Sequence, residues 1–296
     1  MREGEVSRTA LHVAAARAAH LRYDPPPHLL GDVFAERLLG AAADELVASY
    51  ADDASGAGGS ADAAGARWLL LENRLFIPFR ARFGEDVIAE ACARGVAQVV
   101  VLGAGLDSFA LRRPAALGAL AVFEVDHPAT QAWKRARLAE LGASEPDGLR
   151  FVACDFERTA VSDALRAAGL RTDAPAVVTW MGVVYYLSRE TVASALADLR
   201  SVLAPGSAVA LDYQLPVGSL SQRYRDVFAS VASYLRDTGE PQVNRYRPDE
   251  MRAAILAAGF ASAELPTRAE LYARYFAPLR SRIPMSERFG LAVARA

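Results

Sequence analysis

The stretch Gln98-Val99-Val100-Val101-Leu102-Gly103-Ala104-Gly105-Leu106-Asp107-Ser108 decides how the chain folds: an apolar, β-branched run stops at two glycines one residue apart. A run this apolar reads as a strand buried on both faces, which points to a parallel sheet. Glycine lets the backbone turn sharply and approach a ligand closely. Ser108-Phe109-Ala110-Leu111-Arg112 can begin a helix, so a ligand would lie beyond the carboxyl end of the strand.

Downstream, Ala119–Asp126 reads as a second strand and Leu149–Asp155 as a third, each ending in an acid. Ala174–Trp180 and Ser207–Tyr213 read as a fourth and a fifth, and Phe289–Arg295 as a short last strand. Helical patterns over Gln131–Leu141, Thr159–Ala168, Ser188–Leu203 and Pro248–Gly259 separate them. Strands alternating with helices at this spacing predict a doubly wound, mostly parallel α/β sheet. Upstream, Ser7 caps an alanine-rich helix that Asp24-Pro25-Pro26-Pro27 ends. A second helix is expected over Asp32–Tyr50, a surface loop over the low-complexity Ala51–Asp62, and further helix from Trp68 to Ala93. Gln214–Tyr246 reads as a mainly helical insertion. No repeat and no clean linker appears, so residues 1–296 are expected to form one domain. Its parts are a helical N-terminal stretch (1–96), a ligand-binding core (97–213), the insertion (214–247) and a C-terminal return to the core (248–296). The N-terminal stretch and the insertion are expected to form a lid.

More than half of the 296 residues are hydrophobic and the net charge is −2, so nothing calls for nucleic acid or an anionic membrane as partner. Lys134 is the only lysine; with so much arginine and alanine, that suggests a GC-rich bacterial genome. Cys92 and Cys154 are expected to be buried free thiols. His12, His20, His28 and His127 have no metal-binding spacing, and no metal is expected. The chain start has no secretory apolar core and no run is long enough to span a membrane. A cytoplasmic location is the simplest reading, and a homo-oligomer is compatible with it.

Turns like Gly103–Gly105 serve NAD, FAD and S-adenosylmethionine, and some are only tight turns. A dinucleotide fingerprint wants a third glycine where this chain has Ser108. Asp107 would repel a pyrophosphate, whereas a ligand with a cationic end suits it. S-adenosylmethionine carries an ammonium and a sulfonium and no phosphate. Asp126, roughly twenty residues past the turn, is placed to take ribose hydroxyls, and Asp155 to accept from an adenine amino group. Each acid also has a plainer reading: Asp107 as a helix cap, Asp126 as the start of the turn into His127-Pro128, Asp155 as a cap over Phe156-Glu157. His127 reads as structural on sequence alone. Their conjunction on neighbouring strand ends favours the nucleotide site.

These segments, together with Ser7-Arg8-Thr9-Ala10, Ala15-Ala16-Arg17-Ala18 and Gly182-Val183-Val184-Tyr185-Tyr186-Leu187, resemble the leucine carboxyl methyltransferase family. The resemblance is weakest at 51–66 and beyond Gln214. It implies a class I methyltransferase (Rossmann-like) fold and S-adenosyl-L-methionine as cofactor. It implies that Gly103, Ala104, Gly105 and Asp107 approach the methionine part, that Asp126 and His127 flank the ribose, and that Asp155 and Phe156 meet the adenine. Arg80 matches an arginine that engages a carboxylate of cofactor or substrate, and Arg82 a second basic position; both read equally as a solvated helix face. Met181 replaces the family's usual glutamate, which makes the pocket more apolar there and argues against assuming the family's named protein substrate.

A carboxylate acceptor is already ionised at pH 7 and needs no base, and arginine presents it well. The expected activity is O-methylation of a small-molecule carboxylate, such as a polyketide or aromatic acid of secondary metabolism. Arg80, Arg82, Tyr185 and Tyr186 are the candidate catalytic residues, with Tyr213 and the insertion shaping the pocket. Two other readings stand beside it. One is methylation of a phenol or other hydroxyl, and the other is a non-catalytic S-adenosylmethionine-binding protein.

Overall fold

The computed structural model describes residues 7–51, 61–156, 159–237 and 242–296, with side chains at 61–63 and 230–237 set aside. Residues 52–60, the greater part of the expected loop, lie outside the described residues.

Seven strands form one sheet: β1 Gln98–Leu102, β2 Ala121–Asp126, β3 Leu149–Ala153, β4 Val177–Trp180, β5 Ala208–Gln214, β6 Ser262–Glu264 and β7 Phe289–Arg295. Their order is β3-β2-β1-β4-β5-β7-β6. The first five run parallel, and β7 is antiparallel to both its neighbours. The carboxyl ends of β1 to β5 therefore share one rim, with the order reversing between β1 and β4, where such sheets bind ligands.

The apolar run in β1 has the expected cause. Val99 and Val101 join one core and Val100 and Leu102 the other, so no position in the strand faces water. Fully burying each such side chain stabilises by roughly 1.5–3 kcal/mol. The first core is roofed by α1 (Arg8–Tyr23) and the long α4 (Ala61–Ala93), which contributes Phe79, Phe83 and Ile88.

Between these two helices lie α2 (Ala35–Leu39), a 3-10 turn and α3 (Ala43–Ala48). The expected helix over Asp32–Tyr50 is thus broken in two: Gly40, at φ +61°, turns the chain left-handed, and its Cα faces the Arg137 guanidinium so closely that a Cβ would be 2.7 Å from it. Next along the chain come α5 (Phe109–Arg112), α6 (Pro128–Glu140), α7 (Val161–Ala167) and α8 (Arg189–Arg200). Helix α8 supplies Val192, Leu196 and Leu199 to the second core. The remaining helices are α9 (Gln222–Asp237), α10 (Pro248–Ala257) and α11 (Arg268–Leu271).

Capping follows the sequence closely. The Ser7 hydroxyl accepts the Ala10 N–H, and the Ser188 hydroxyl accepts the Thr191 N–H. Pro128 and Pro248 open α6 and α10, where a missing N–H costs nothing. Pro78 lies inside α4, where it removes one ladder hydrogen bond; packing of α4 on α1, α9, β4 and β5 holds the helix through it, over the stretch expected to be helical. The edge strand β6 was not expected, being too short for an alternating pattern. Cys154 is buried as expected, and Cys92 only partly so. No described helix is long and apolar enough to cross a membrane.

Candidate active site

The turn after β1 is left-handed at both glycines, with φ +65° at Gly103 and +50° at Gly105. A Cβ at Gly103 would lie 2.4 Å from Val183 Cγ2, so any side chain there is excluded by space as well as by backbone. Beyond the turn opens a cleft of about 590 Å³, part of it open to solvent. Gly103, Ala104 and Asp107 line it from the turn, Arg80 and Glu85 from α4, Arg17 from α1, and Thr179 and Met181 from the end of β4.

The charges in the cleft are held by partners behind it. Arg17 donates from Nε to Asp32 Oδ2 (2.7 Å) and from Nη2 to the Leu106 carbonyl (2.6 Å). Burial works against ionising Asp32, yet Arg17 and Arg112 hold its carboxyl below the usual range. Burial pushes Glu85 above the usual range, although both its oxygens accept from Arg112. Arg80 donates from Nη1 to the Tyr185 hydroxyl (2.7 Å) and to Asp212 Oδ2 (3.2 Å). Asp212 Oδ1 in turn accepts the Gly182 N–H at 2.6 Å. Asp107 Oδ1 accepts the Phe109 N–H at 2.7 Å, which ties the turn to the first residue of α5, while Ser108 holds the cap position itself. Asp107 nevertheless forms no salt bridge with a described side chain, and the Arg112 cation acts on its charge only through space.

A second group lies next along the rim. Both oxygens of Asp126, at the end of β2, are anchored: Oδ2 accepts the Gly105 N–H (2.5 Å) and Oδ1 the His127 N–H (2.6 Å). Burial raises the Asp126 carboxyl, and these two backbone donors work against the rise. Each carboxylate oxygen still has acceptor capacity left. His127 caps α6, its Nδ1 accepting the Ala129 N–H. Asp155 and Phe156 follow β3, whose Ala153 pairs with Asp126 in register, so the two acids are neighbours on the rim.

The structure thus gathers Arg80, Gly103, Ala104, Asp107 and Met181 around one cleft and sets Gly105, Asp126, His127, Asp155 and Phe156 beside it. Four candidates, Arg82, Tyr185, Tyr186 and Tyr213, fall elsewhere. Arg82 is on the outer side of α4, half exposed and paired with Asp86 at 2.7 Å, as its solvated-face reading expects. Tyr213 alternates with Asp212 to the opposite face of β5 and is buried in the second core. Tyr185 is buried behind Arg80, with the half-buried Tyr186 ring 4.7 Å away. Burial keeps the Tyr185 phenol strongly protonated.

Several residues around the cleft carry little local signal in the sequence. Arg17 was visible only as part of a motif without a role. Asp32, Asp212 and the Glu124–Lys134 pair are buried carboxylates and a buried lysine whose partners lie far off in the chain. An acid within an otherwise apolar strand, as at Glu124 and Asp212, is the signal that marks them. His20 is accounted for structurally. Its Nε2 accepts the Leu29 N–H, which leaves Nδ1 to donate to Asp24 at 2.8 Å.

A glycine turn at the switch point of this seven-strand order, with acids along the adjoining strand ends, defines a class I methyltransferase fold. The leucine carboxyl methyltransferase family matches residues 10–200, and the chain belongs to that family. It is 33% identical over 230 residues to the "Putative S-adenosyl-L-methionine-dependent methyltransferase YktD" of Bacillus subtilis (strain 168), covering 72% of each chain. A Mycolicibacterium paratuberculosis (strain ATCC BAA-968 / K-10) relative, "Putative S-adenosyl-L-methionine-dependent methyltransferase", is 36% identical over 217 residues. That match covers 70% of this chain and 66% of the relative, a little under two thirds of its length. The crystal structure of a "putative methyltransferase" from Thermobifida fusca YX has the same fold, with TM-score 0.56 at 17% identity over 99% of this chain and 96% of the other. The chain is an S-adenosylmethionine-dependent methyltransferase.

Proposed function

We propose that the chain methylates a carboxylate oxygen of a small molecule, an aromatic or polyketide acid of secondary metabolism being the class in view. The cofactor supplies an electrophilic methyl on a sulfonium. In this reading the Gly103–Gly105 turn and Asp107 hold its methionine end, where a carboxylate without a salt-bridge partner among the described side chains suits an ammonium and a sulfonium. Arg17 and Arg80, their charges paired with Asp32 and Asp212, offer remaining N–H donors to a carboxylate of cofactor or acceptor, Asp126 takes the ribose hydroxyls, and Asp155 with Phe156 meets the adenine. Met181 and Thr179 keep water from the reacting oxygen.

The observation that supports a carboxylate acceptor is the condition of the cleft's polar groups. Among the groups that line the cleft, Asp107 is engaged by a backbone N–H and Glu85 by Arg112; the Tyr185 phenol behind Arg80 is kept protonated. No histidine is among the lining residues. An acceptor that arrives ionised needs no proton removed, so alignment in a dry site is the main task left to the protein.

The test is methyl transfer from labelled S-adenosylmethionine to a panel of aromatic acids and phenols, followed by mild alkali. A methyl group released as methanol supports the ester. An alkali-stable methyl supports the second reading, a hydroxyl acceptor. That reading has one observation in its favour: Glu85, raised by burial, lies in the cleft where a base would act.

A further inference from the structure

The carboxyl end of β5 carries a second polar feature that the cofactor side does not use. Gln214 is the last residue of β5, two positions beyond Asp212 and so on the same face of the sheet. Its side chain is 2% exposed, and its Oε1 has no hydrogen-bond partner. Beside it runs the strap 242–246. The Val243 and Asn244 N–H groups both donate to the Tyr185 carbonyl (2.9 and 3.2 Å), and the Tyr246 N–H donates to the Gln214 carbonyl (2.8 Å). Asn244 is 3% exposed, and neither Oδ1 nor Nδ2 of its amide has a partner. Gln214 Nε2 is satisfied by Gln242 Oε1. Two carbonyl oxygens and one NH2 are therefore left unpaired and buried around one strand end. Each such group is destabilising unless something pairs with it.

The surroundings are flat and apolar. Phe289, which pairs with Gln214 in register, stacks on Phe76 at 3.9 Å, and its ring is 5.5 Å from that of Tyr185. The neighbouring charges are already compensated, Arg80 by Asp212 and Arg288 by Glu72. The unpaired set thus asks for a neutral group offering two donors and one acceptor. A primary carboxamide offers that set: its NH2 can donate to Gln214 Oε1 and Asn244 Oδ1 while its carbonyl accepts from Asn244 Nδ2. An ionised carboxylate would meet two carbonyl oxygens and a single donor group.

We propose that Gln214 and Asn244 form a recognition point for a neutral carboxamide on the methyl acceptor. Both amides are shut off from solvent, so the group enters as the strap lifts and is covered as the strap returns. This rests on the proposed methyl transfer and on reading the carboxyl end of β5, farther along the rim than the cleft, as the acceptor side, and it names a substrate feature that methyl transfer alone does not require.

The experiment is calorimetric binding of 4-carbamoylbenzoate, 4-methylbenzoate and terephthalate to the full chain in the presence of S-adenosylhomocysteine. The expected result is that 4-carbamoylbenzoate binds about tenfold or more tightly than either of the others. Asn244→Leu and Gln214→Met should erase that preference while their thermal midpoints hold or rise, since each removes an unpaired buried polar atom. Should Asn244→Leu fail to fold, the nearly isosteric Gln214→Met decides alone. Failure of 4-carbamoylbenzoate to bind, equal binding of 4-carbamoylbenzoate and 4-methylbenzoate, or a preference that survives Gln214→Met overturns the proposal and leaves the amides to bound water. The carboxylate reading fails separately: an alkali-stable methyl product together with an intact carboxamide preference removes the ester and keeps the amide site.

Discussion

Arg80 and Asp212 form an ion pair deep behind the cleft, with Nη1 3.2 Å from Oδ2 and the aspartate wholly buried. Gly182 permits the approach: a Cβ there would lie 2.5 Å from the Arg80 guanidinium. Asp212 therefore sets where the Arg80 charge lies. Asp212→Asn leaves that charge without its counterion and is expected to destabilise the chain by about 3–5 kcal/mol. Pairing it with Arg80→Met should recover much of the loss. Urea unfolding of the single and double variants measures both, and calorimetry with S-adenosylhomocysteine should show weaker binding in each. Equal stability of Asp212→Asn and the native chain would mean the pair contributes nothing.

Gly103→Ala combines a left-handed backbone with a clash against Val183. The backbone part alone costs about 1–2 kcal/mol. Adding Val183→Ala should relieve the steric part and leave the backbone part, so the double variant should fall between native and single variant in thermal midpoint. A Gly103→Ala chain as stable as the native one, with undiminished cofactor affinity, would argue against the cradle.

Cofactor affinity should fall on acidification earlier than an ordinary aspartate would dictate. Burial raises the Asp126 carboxyl, so protons bind it above the usual range. The protonated form loses acceptor capacity toward ribose hydroxyls. Affinity is thus full above the raised pKa and is lost as pH falls through it. Asp126→Asn should bind weakly at every pH and flatten the profile in the range just above that of an ordinary aspartate. Calorimetric titrations at several pH values decide it; a profile unchanged by the substitution would assign the titration to another group.

Lys134 is buried on α6, donating to the Asp107 carbonyl at 2.6 Å and to Glu124 on β2. Lys134→Met strands the Glu124 carboxylate in a dry site and should cost about 3–5 kcal/mol, whereas Lys134→Met with Glu124→Met should cost far less. Because the Asp107 carbonyl loses its donor as well, cofactor affinity should drop in both variants. Denaturant unfolding supplies the cycle and calorimetry the affinity.

The sequence by itself determined the parallel sheet and the position of the turn. Apolar β-branched runs, glycines, prolines and capping serines act over a few residues, and that range contains everything needed to start and stop β1 to β5. It also placed Asp107, Asp126 and Asp155 on one rim, because an acid ending a parallel strand has nowhere else to go. What it left open was which polar residues meet. Arg80 and Arg82 are two residues apart on α4, and only packing against β4 and β5 turns the first toward Asp212 while the second faces water. Tyr213 was lost to the far side of β5 by strand alternation, whose phase depends on which face the first core covers. Gln214 and Asn244 come together only because the strap returns along the end of β5 and bonds to Tyr185. Contacts of that span are settled by the burial of the whole sheet, which no local pattern encodes.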